Sequence, residues 1–371
     1  MNTNKNIFII IFVLSLLSTA YALAIPAFPG AEGMGAASVG GRGGTVYKVT
    51  NLNDAGSGSF RTACQASGAR YVVFTVSGVI DLLTPVIIDD PYITIAGETS
   101  PGGICISGSQ TNINTHDVII THMRFRLGQT HVTAQNAEQI GDAVEIGAYT
   151  TQITNPAQYN IIFDHCSFSW GIDETVSAVC ATSDVTFSWC IFGGGLYNSV
   201  HPESPHSAGF MAWAKYSQNM RISIHHSFFG FNMFRNPENN YQSFIDSTNN
   251  VIYYFQTTYS HQVGNESGYK STANIIGNYQ KTTGSVSTRY TRSAFILDYT
   301  LNPESRIYMT GCLDGTRDSQ EDPQWSAQAY WHDSLLSTNW RKDTPWPTVG
   351  FTGNGIPVSA TAMDATYASY V

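Results

Sequence analysis

Short runs of alternating apolar and polar residues recur along the chain, each opened by a polar or turn residue and closed by a polar pair. Tyr92-Ile-Thr-Ile-Ala-Gly97, Asp117-Val-Ile-Ile-Thr-His122, Asn160-Ile-Ile-Phe-Asp-His165, Asp184-Val-Thr-Phe-Ser-Trp189, Arg221-Ile-Ser-Ile-His-His226 and Asn250-Val-Ile-Tyr-Tyr-Phe255 share this form, with weaker copies at Asn274 and Arg306. β-Branched residues at period two predict half-buried strands. Copies begin 25 residues apart at Tyr92 and Asp117, 24 apart at Asn160 and Asp184, and 29 apart at Arg221 and Asn250, with wider intervals of 43 and 37 where loops are inserted. A period in the twenties, without helices between the strands, points to an all-β solenoid. No Leu-x-x-Leu-x-Leu framework is present, which leaves a parallel β-helix whose coils each give one residue to each inward stack. Cys166 and Cys190 lie 24 apart, as do Phe168 and Phe192, and fit such stacks. The cysteines read as small buried rung residues.

The run from Arg221 to Pro237 organises the rest. It predicts one strand, Arg221 to Phe229, and a turn that delivers Arg235 to the surface. Ser59 to Ala66 is the one helix the pattern supports, and it is placed to cap the end of a stacked core that would otherwise expose its apolar rungs. The glycines of Gly40-Gly-Arg-Gly-Gly44 precede a strand and do not join a strand to a helix, so they read as turn punctuation and not as a phosphate cradle. Leu127 to Tyr159, Gly193 to Gln218 and Phe231 to Ser247 read as insertions that leave the core, and insertions on one face of a solenoid commonly build its binding site. After Gly311 the repeat is lost, and residues 311–371, with Trp325, Trp331, Trp340 and Trp346, are expected to form an irregular C-terminal cover.

Composition narrows this further. The 371 residues are 42% hydrophobic and 12% charged, with 33 glycines, 20 tyrosines and 19 phenylalanines, as suits a turn-rich β protein with a large core. Residues 1–24 read as a secretory signal: Lys5, an apolar run from Ile7 to Leu17, and an A-x-A pattern at Ala22-Leu23-Ala24. Residues 25–371 are then one exported, extracellular domain, with no membrane attachment after cleavage and expected as a monomer. Loss of Lys5 leaves 17 basic against 27 acidic residues, a net charge of −10. That excludes a general nucleic-acid binder, and an anionic ligand would need a local basic cleft or bridging metal ions. Six cysteines without C-x-x-C spacing make neither a disulfide scaffold nor a zinc site.

Phe28-Pro-Gly-Ala-Glu-Gly33, Gly40-Gly-Arg-Gly-Gly-x-Val-Tyr-x-Val-Thr-Asn-Leu-Asn-Asp54, Asp164-His-Cys-Ser-Phe-Ser-Trp170, Asp173-Glu174, His225-His226 and Arg235-x-Pro237, in that order, resemble the secreted pectate lyases of the pectate lyase/pectin lyase superfamily. The likeness runs from about residue 26 to at least 281. It implies a right-handed single-stranded parallel β-helix, a calcium cofactor, and β-elimination on α-1,4-linked polygalacturonate to give 4,5-unsaturated oligogalacturonates. Such chemistry removes the proton at C5 and expels the oxygen at C4, so charge builds on the C6 carboxylate. A divalent cation is its natural stabiliser and a positioned base does the rest. Calcium takes hard oxygen ligands, for which Asp142, in a Gly-Asp-x-x context, and the pair Asp173 and Glu174 are the candidates, with Asp164 in reserve. Arg235 resembles the family's essential arginine, taken there as the base. A guanidinium of pKa above 12 could instead orient substrate and stabilise charge, or pair with Glu238.

The chain departs from the family's pattern in three places. Asn240 stands where many members carry a second arginine, Ile140 where an aspartate precedes the one matching Asp142, and His206 where a lysine often binds substrate, so that His206 becomes the candidate donor to substrate. His122, His165 and His226 fall at equivalent points of their coils and read as a stacked ladder. Two alternatives stand beside the lyase: a metal-independent pectin lyase-like enzyme, and a non-catalytic carbohydrate-binding β-helix on a surface. Paired catalytic carboxylates of the β-helix hydrolases are not present as a motif.

Overall fold

In the computed structural model, the described residues are 25–147, 158–215, 220–253, 259–264, 269–281, 293–297, 305–313, 329–331 and 344. The expected signal, and Trp325, Trp340 and Trp346 of the expected cover, lie outside them.

Three parallel sheets of ten, eight and nine strands, counted among the described residues, wind into a right-handed single-stranded parallel β-helix. Each coil passes from the first, ten-stranded sheet to the second, eight-stranded sheet and then to the third, nine-stranded one. One coil, for example, runs through Ile161–Asp164, Ser167–Ser169 and Glu174–Val179. Inward residues align rung by rung. In the second sheet Ile106, Phe125, Phe168, Phe192, Phe229 and Ile252 follow one another in register. The four rings stack at 5.5, 5.2 and 4.5 Å between successive centroids, all fully buried. Aromatic pairs contribute about 0.5–1.5 kcal/mol each beyond the area they bury. All six cysteines are free thiols, and Cys166 and Cys190 are buried rung residues.

The strand expected over Arg221 to Phe229 is two strands, Met220–His225 and Phe228–Gly230, on different sheets. Between them His226 has φ of +53°, and the matching corners are His122, His165 and Trp189 at +55°, +53° and +54°. Such a backbone is uncommon for residues other than glycine. Here each corner N–H donates to the next coil, from His122 to Asp164 O, His165 to Ser188 O, Trp189 to His225 O and His226 to Thr248 O, at 3.0–3.2 Å. The corner rings stack in one column, at 5.0, 6.1 and 4.5 Å from His122 through His165 and Trp189 to His226.

Two further expectations are corrected. The run at Asn250 is a second-sheet strand, Val251–Tyr253, and the first-sheet strand of that coil is Ser243–Thr248, where Arg221 pairs with Phe244. The supposed insertions are not wholly outside the coil, for each carries a strand of the third sheet: Val144–Ile146, Ala208–Trp213 and Glu238–Asn240. Ala329–Trp331 pairs in parallel with Ser293–Leu297, so the coil also continues past Gly311.

The capping helix is Phe60–Cys64, with Ser59 accepting the Thr62 N–H at its N-terminus. Fully buried Arg70 donates to the last carbonyls, Ala63 O at 3.3 Å and Cys64 O at 2.6 Å, where a cation suits the helix dipole. Ahead of it, residues 33–41 cross the outer face of the first sheet. Met34, Gly35 and Gly41 donate backbone N–H bonds to Ser223, Thr186 and Thr94 hydroxyls. Some of the glycines are therefore close-approach positions as well as turns. Among the described residues no helix is long and apolar enough to cross a membrane.

Candidate active site

Successive coils of the third sheet bring acids to the starts of their strands. Asp142 precedes Val144–Ile146, and Asp173 precedes Glu174–Val179, which Glu174 opens. Val144 pairs with Val176, a register that sets Asp142 beside Glu174. One carboxylate oxygen from each of Asp142, Asp173 and Glu174 lies within 4.8 Å of the others. Asp142 Oδ1 accepts the Glu174 N–H at 2.9 Å, its Oδ2 accepts the Ser177 hydroxyl, and its own N–H donates to Gln110 Oε1 at 3.0 Å.

Arg235 reaches this cluster by a local irregularity. Ala208 pairs with Phe234, yet Met211 pairs with Glu238, so three steps on one strand face four on the next. The extra residue makes a bulge, a device that re-aims a side chain, and Arg235 takes φ of +57° within it. Across the small Ala208 rung its Nη1 forms an ion pair with Glu174 Oε1. Its Nε lies 2.5 Å from Glu238 Oε2, an ion-pair contact without hydrogen-bond alignment. The Phe234 ring lies 4.9 Å from the guanidinium carbon. Arg235 is thus not held out on the surface, for its side chain is 21% exposed and those of Glu174 and Glu238 are 2% and 1%. The two partners are used together, Glu238 and the cluster acid Glu174.

Burial, and then the charge of Asp173, push Asp142 up to about 7. Burial and the charge of Asp142 push Glu145 up to about 8, although Asn112 donates to its Oε1 at 3.0 Å. Glu174 is raised by burial and by Asp173, with Arg235 opposing. At Asp173 burial acts upward, but the two imidazoles beside it, His201 and the hydrogen-bonded His206, prevail and hold it below its usual value. Burial would lower Arg235, but Glu238, Glu174 and Asp173 raise it and keep it charged. The donor set is hard oxygen, with Asp142 and Glu174 crowded enough to resist ionisation while Asp173 stays charged, and so fits a calcium ion.

His206 does not face outward as a substrate donor would. It is 6% exposed, and its Nε2 lies 2.9 Å from Asp173 Oδ1. Asp164 stands apart from the cluster, on the first sheet, where His165 and Ser188 occupy its oxygens at 2.6 Å each. Sequence reasoning missed His201 and Glu145. The first sits in a segment without any period. The second was visible three residues after Asp142, but strand alternation sets residues three apart on opposite faces and so gave no sign that their charges interact.

A parallel β-helix with acids and one arginine gathered on a single sheet defines a class of protein, and comparisons narrow it. The probable pectate lyase C of Aspergillus terreus is 37% identical over 272 residues, covering 72% of this chain and 58% of that protein. The chain thus spans under three fifths of that relative's length. No family model matches. Among solved structures, the cedar pollen allergen jun a 1 superposes with a TM-score of 0.62 at 15% identity, over 92% of this chain and 90% of that one. Pectate lyase Bsp165PelA from Bacillus sp. N165, in complex with trigalacturonate, gives 0.56 at 14% identity, over 92% and 96%. At such identities these structures speak for the fold alone. With the sequence match, the chain belongs to the pectate lyase superfamily.

Proposed function

We propose that the chain is a secreted, calcium-dependent polysaccharide lyase that cleaves α-1,4-linked polygalacturonate by β-elimination. The observation that carries this reading is the joining of Arg235 to the acid cluster through Glu174. One uronate ring can then meet a guanidinium and a cation-holding group together. Asp142, Asp173 and Glu174 would hold calcium, which when bound supplies a Lewis acid to the C6 carboxylate and so acidifies the C5 proton. Arg235, kept charged by its two carboxylates, orients that carboxylate and stabilises the negative charge developing on it. To take the C5 proton itself, the guanidinium would first have to leave Glu174 and Glu238, since both favour its protonated form. As a base, solvent water or a freed Arg235, takes the C5 proton, the electron pair of that C–H bond forms the C4–C5 double bond, and the C4 oxygen leaves and takes a proton from water.

Incubation with polygalacturonate, followed by absorbance of the unsaturated uronate, tests this for wild type and Arg235→Ala, with and without chelator. Product is expected only from wild type with calcium present. Full activity in chelator would favour the metal-independent reading, and no chromophore from any uronate polymer would remove the lyase.

A further inference from the structure

Behind the acid cluster stand two imidazoles that the proposed chemistry leaves without a task. His201 and His206 are 5% and 6% exposed and stack face to face, with centroids 4.2 Å apart and planes 15° from parallel. Both direct Nε2 at one oxygen: His206 bonds Asp173 Oδ1 at 2.9 Å, while His201 stands 3.6 Å from it, beyond hydrogen-bond distance. Two imidazoles and a carboxylate with their donor atoms within 4.8 Å would suit a first-row transition metal. The hydrogen bonds decide otherwise. The Glu203 backbone N–H donates to His201 Nδ1 at 3.1 Å, so that nitrogen keeps its lone pair. The proton of the neutral ring then sits on Nε2, facing Asp173, and leaves no lone pair there for a metal. His206 Nε2, at 2.9 Å from a carboxylate oxygen, is likewise a donor, since an unprotonated nitrogen would set lone pair against lone pair.

We infer that His206 is a positioning residue, with His201 stacked behind it: its Nε2 holds Asp173 Oδ1, fixes the carboxylate's orientation, leaves Oδ2 for the cation, and thereby sets the calcium affinity of the site. The inference rests on the calcium reading above. The same loop braces the arginine. The His206 and Phe234 rings meet at right angles with centroids 5.0 Å apart, and the Phe234 ring lies against the Arg235 guanidinium. The loop itself is tied down by the His206 N–H on Tyr197 O, at 3.0 Å.

Partners that orient a metal ligand typically change metal affinity by roughly 10–100-fold when removed. The test is equilibrium dialysis of calcium against chelator-stripped full-length protein, beside elimination assays with calcium varied. His206→Phe keeps the stacked ring and loses the donor, while His206→Gln keeps an N–H donor at similar reach. His206→Phe should bind calcium roughly 10–100-fold more weakly, and His206→Gln should recover most of the affinity. Unchanged affinity in a folded His206→Phe protein, judged by near-UV circular dichroism, overturns the inference and leaves the calcium reading standing. So does a stoichiometric zinc site in wild type that disappears in His206→Phe, for the three side chains would then be ligands. Should wild type take up no calcium at all, the proposed function and this inference fall together.

Discussion

Replacing Arg235 with alanine should cost stability as well as activity, and the pH dependence of that cost separates charge from packing. The substitution leaves Glu174 and Glu238, at 2% and 1% side-chain exposure, without their cation. Stranding one partner of a buried ion pair costs about 3–5 kcal/mol. The cost has a definite sign in pH. Glu174 is raised above its ordinary value by burial and by Asp173 even with Arg235 opposing, and loss of the guanidinium raises it further. A carboxyl raised in the folded state carries no penalty below its unfolded pKa, about 4.3. The penalty grows as pH climbs from there to the folded pKa and is constant beyond it. In urea unfolding without calcium, which would itself neutralise the acids, the deficit of Arg235→Ala should approach about 3–5 kcal/mol at pH 8 and shrink markedly at pH 4.5. Adding Glu238→Gln should recover part of it at pH 8 alone. An equal deficit at both pH values would refute the electrostatic account and assign the loss to contact with Phe234.

Two other substitutions probe the scaffold. Asp246 is 1% exposed, accepts from the Thr248 hydroxyl at 2.9 Å, and is pushed up to about 7 by burial. The folded protein therefore holds a proton that the unfolded chain releases, and wild-type stability should fall as pH rises from about 4 to 7. Asp246→Asn should add on the order of 1–3 kcal/mol of stability at pH 8, read as a higher thermal midpoint, and change little near pH 4. At Gly35 an added Cβ would lie 2.0 Å from Ile161 O, so Gly35→Ala should lift residues 33–41 from the first sheet, seen as faster hydrogen exchange there. Gly43→Ala meets nothing within 4 Å but keeps φ of +73°, and should cost only about 1–2 kcal/mol without that exchange signature.

Coils stacked in parallel repeat one residue type per rung, which is why the spacing of Ile161, Val185 and Ile222, partners in register, could be read from the sequence. The corner ladder of His122, His165 and His226 was legible, but its backbone was not. Nothing in His225-His226 marks a left-handed backbone, because that conformation is held by a hydrogen bond to another coil. The third sheet was hidden for another reason. Its strands are short, and one face carries acids and amides, as in Glu238-Asn-Asn, so they read as loop. Asp142, Asp173, Glu174 and Arg235 were found through the family resemblance, the first three also as the hard oxygen ligands that calcium takes. His201 could not be, since its position depends on the path of residues 193–207 and on no local pattern.

The placement of charge along the third sheet explains why the site lies where it does. In the outward column Glu145 is flanked in register by Asn112 and Ser177, and Glu238 by Met211 and Gln262. No two acids of that column are adjacent, as rungs about 4.7–4.9 Å apart require when like charges directly opposite destabilise the sheet. At the strand starts the separation fails. Asp142 stands beside Glu174 with Asp173 next in sequence, and burial pushes Asp142 up to about 7. Such crowding is tolerable only where cations are supplied. The bulge before Glu238 delivers one, Arg235, which reaches Glu174 across a rung occupied only by Ala208. It leaves Asp142 and Asp173 facing the same space without a cation of their own. The coil thus neutralises one side of Glu174 with its own residue and leaves the other as the position where an added cation is most strongly stabilised.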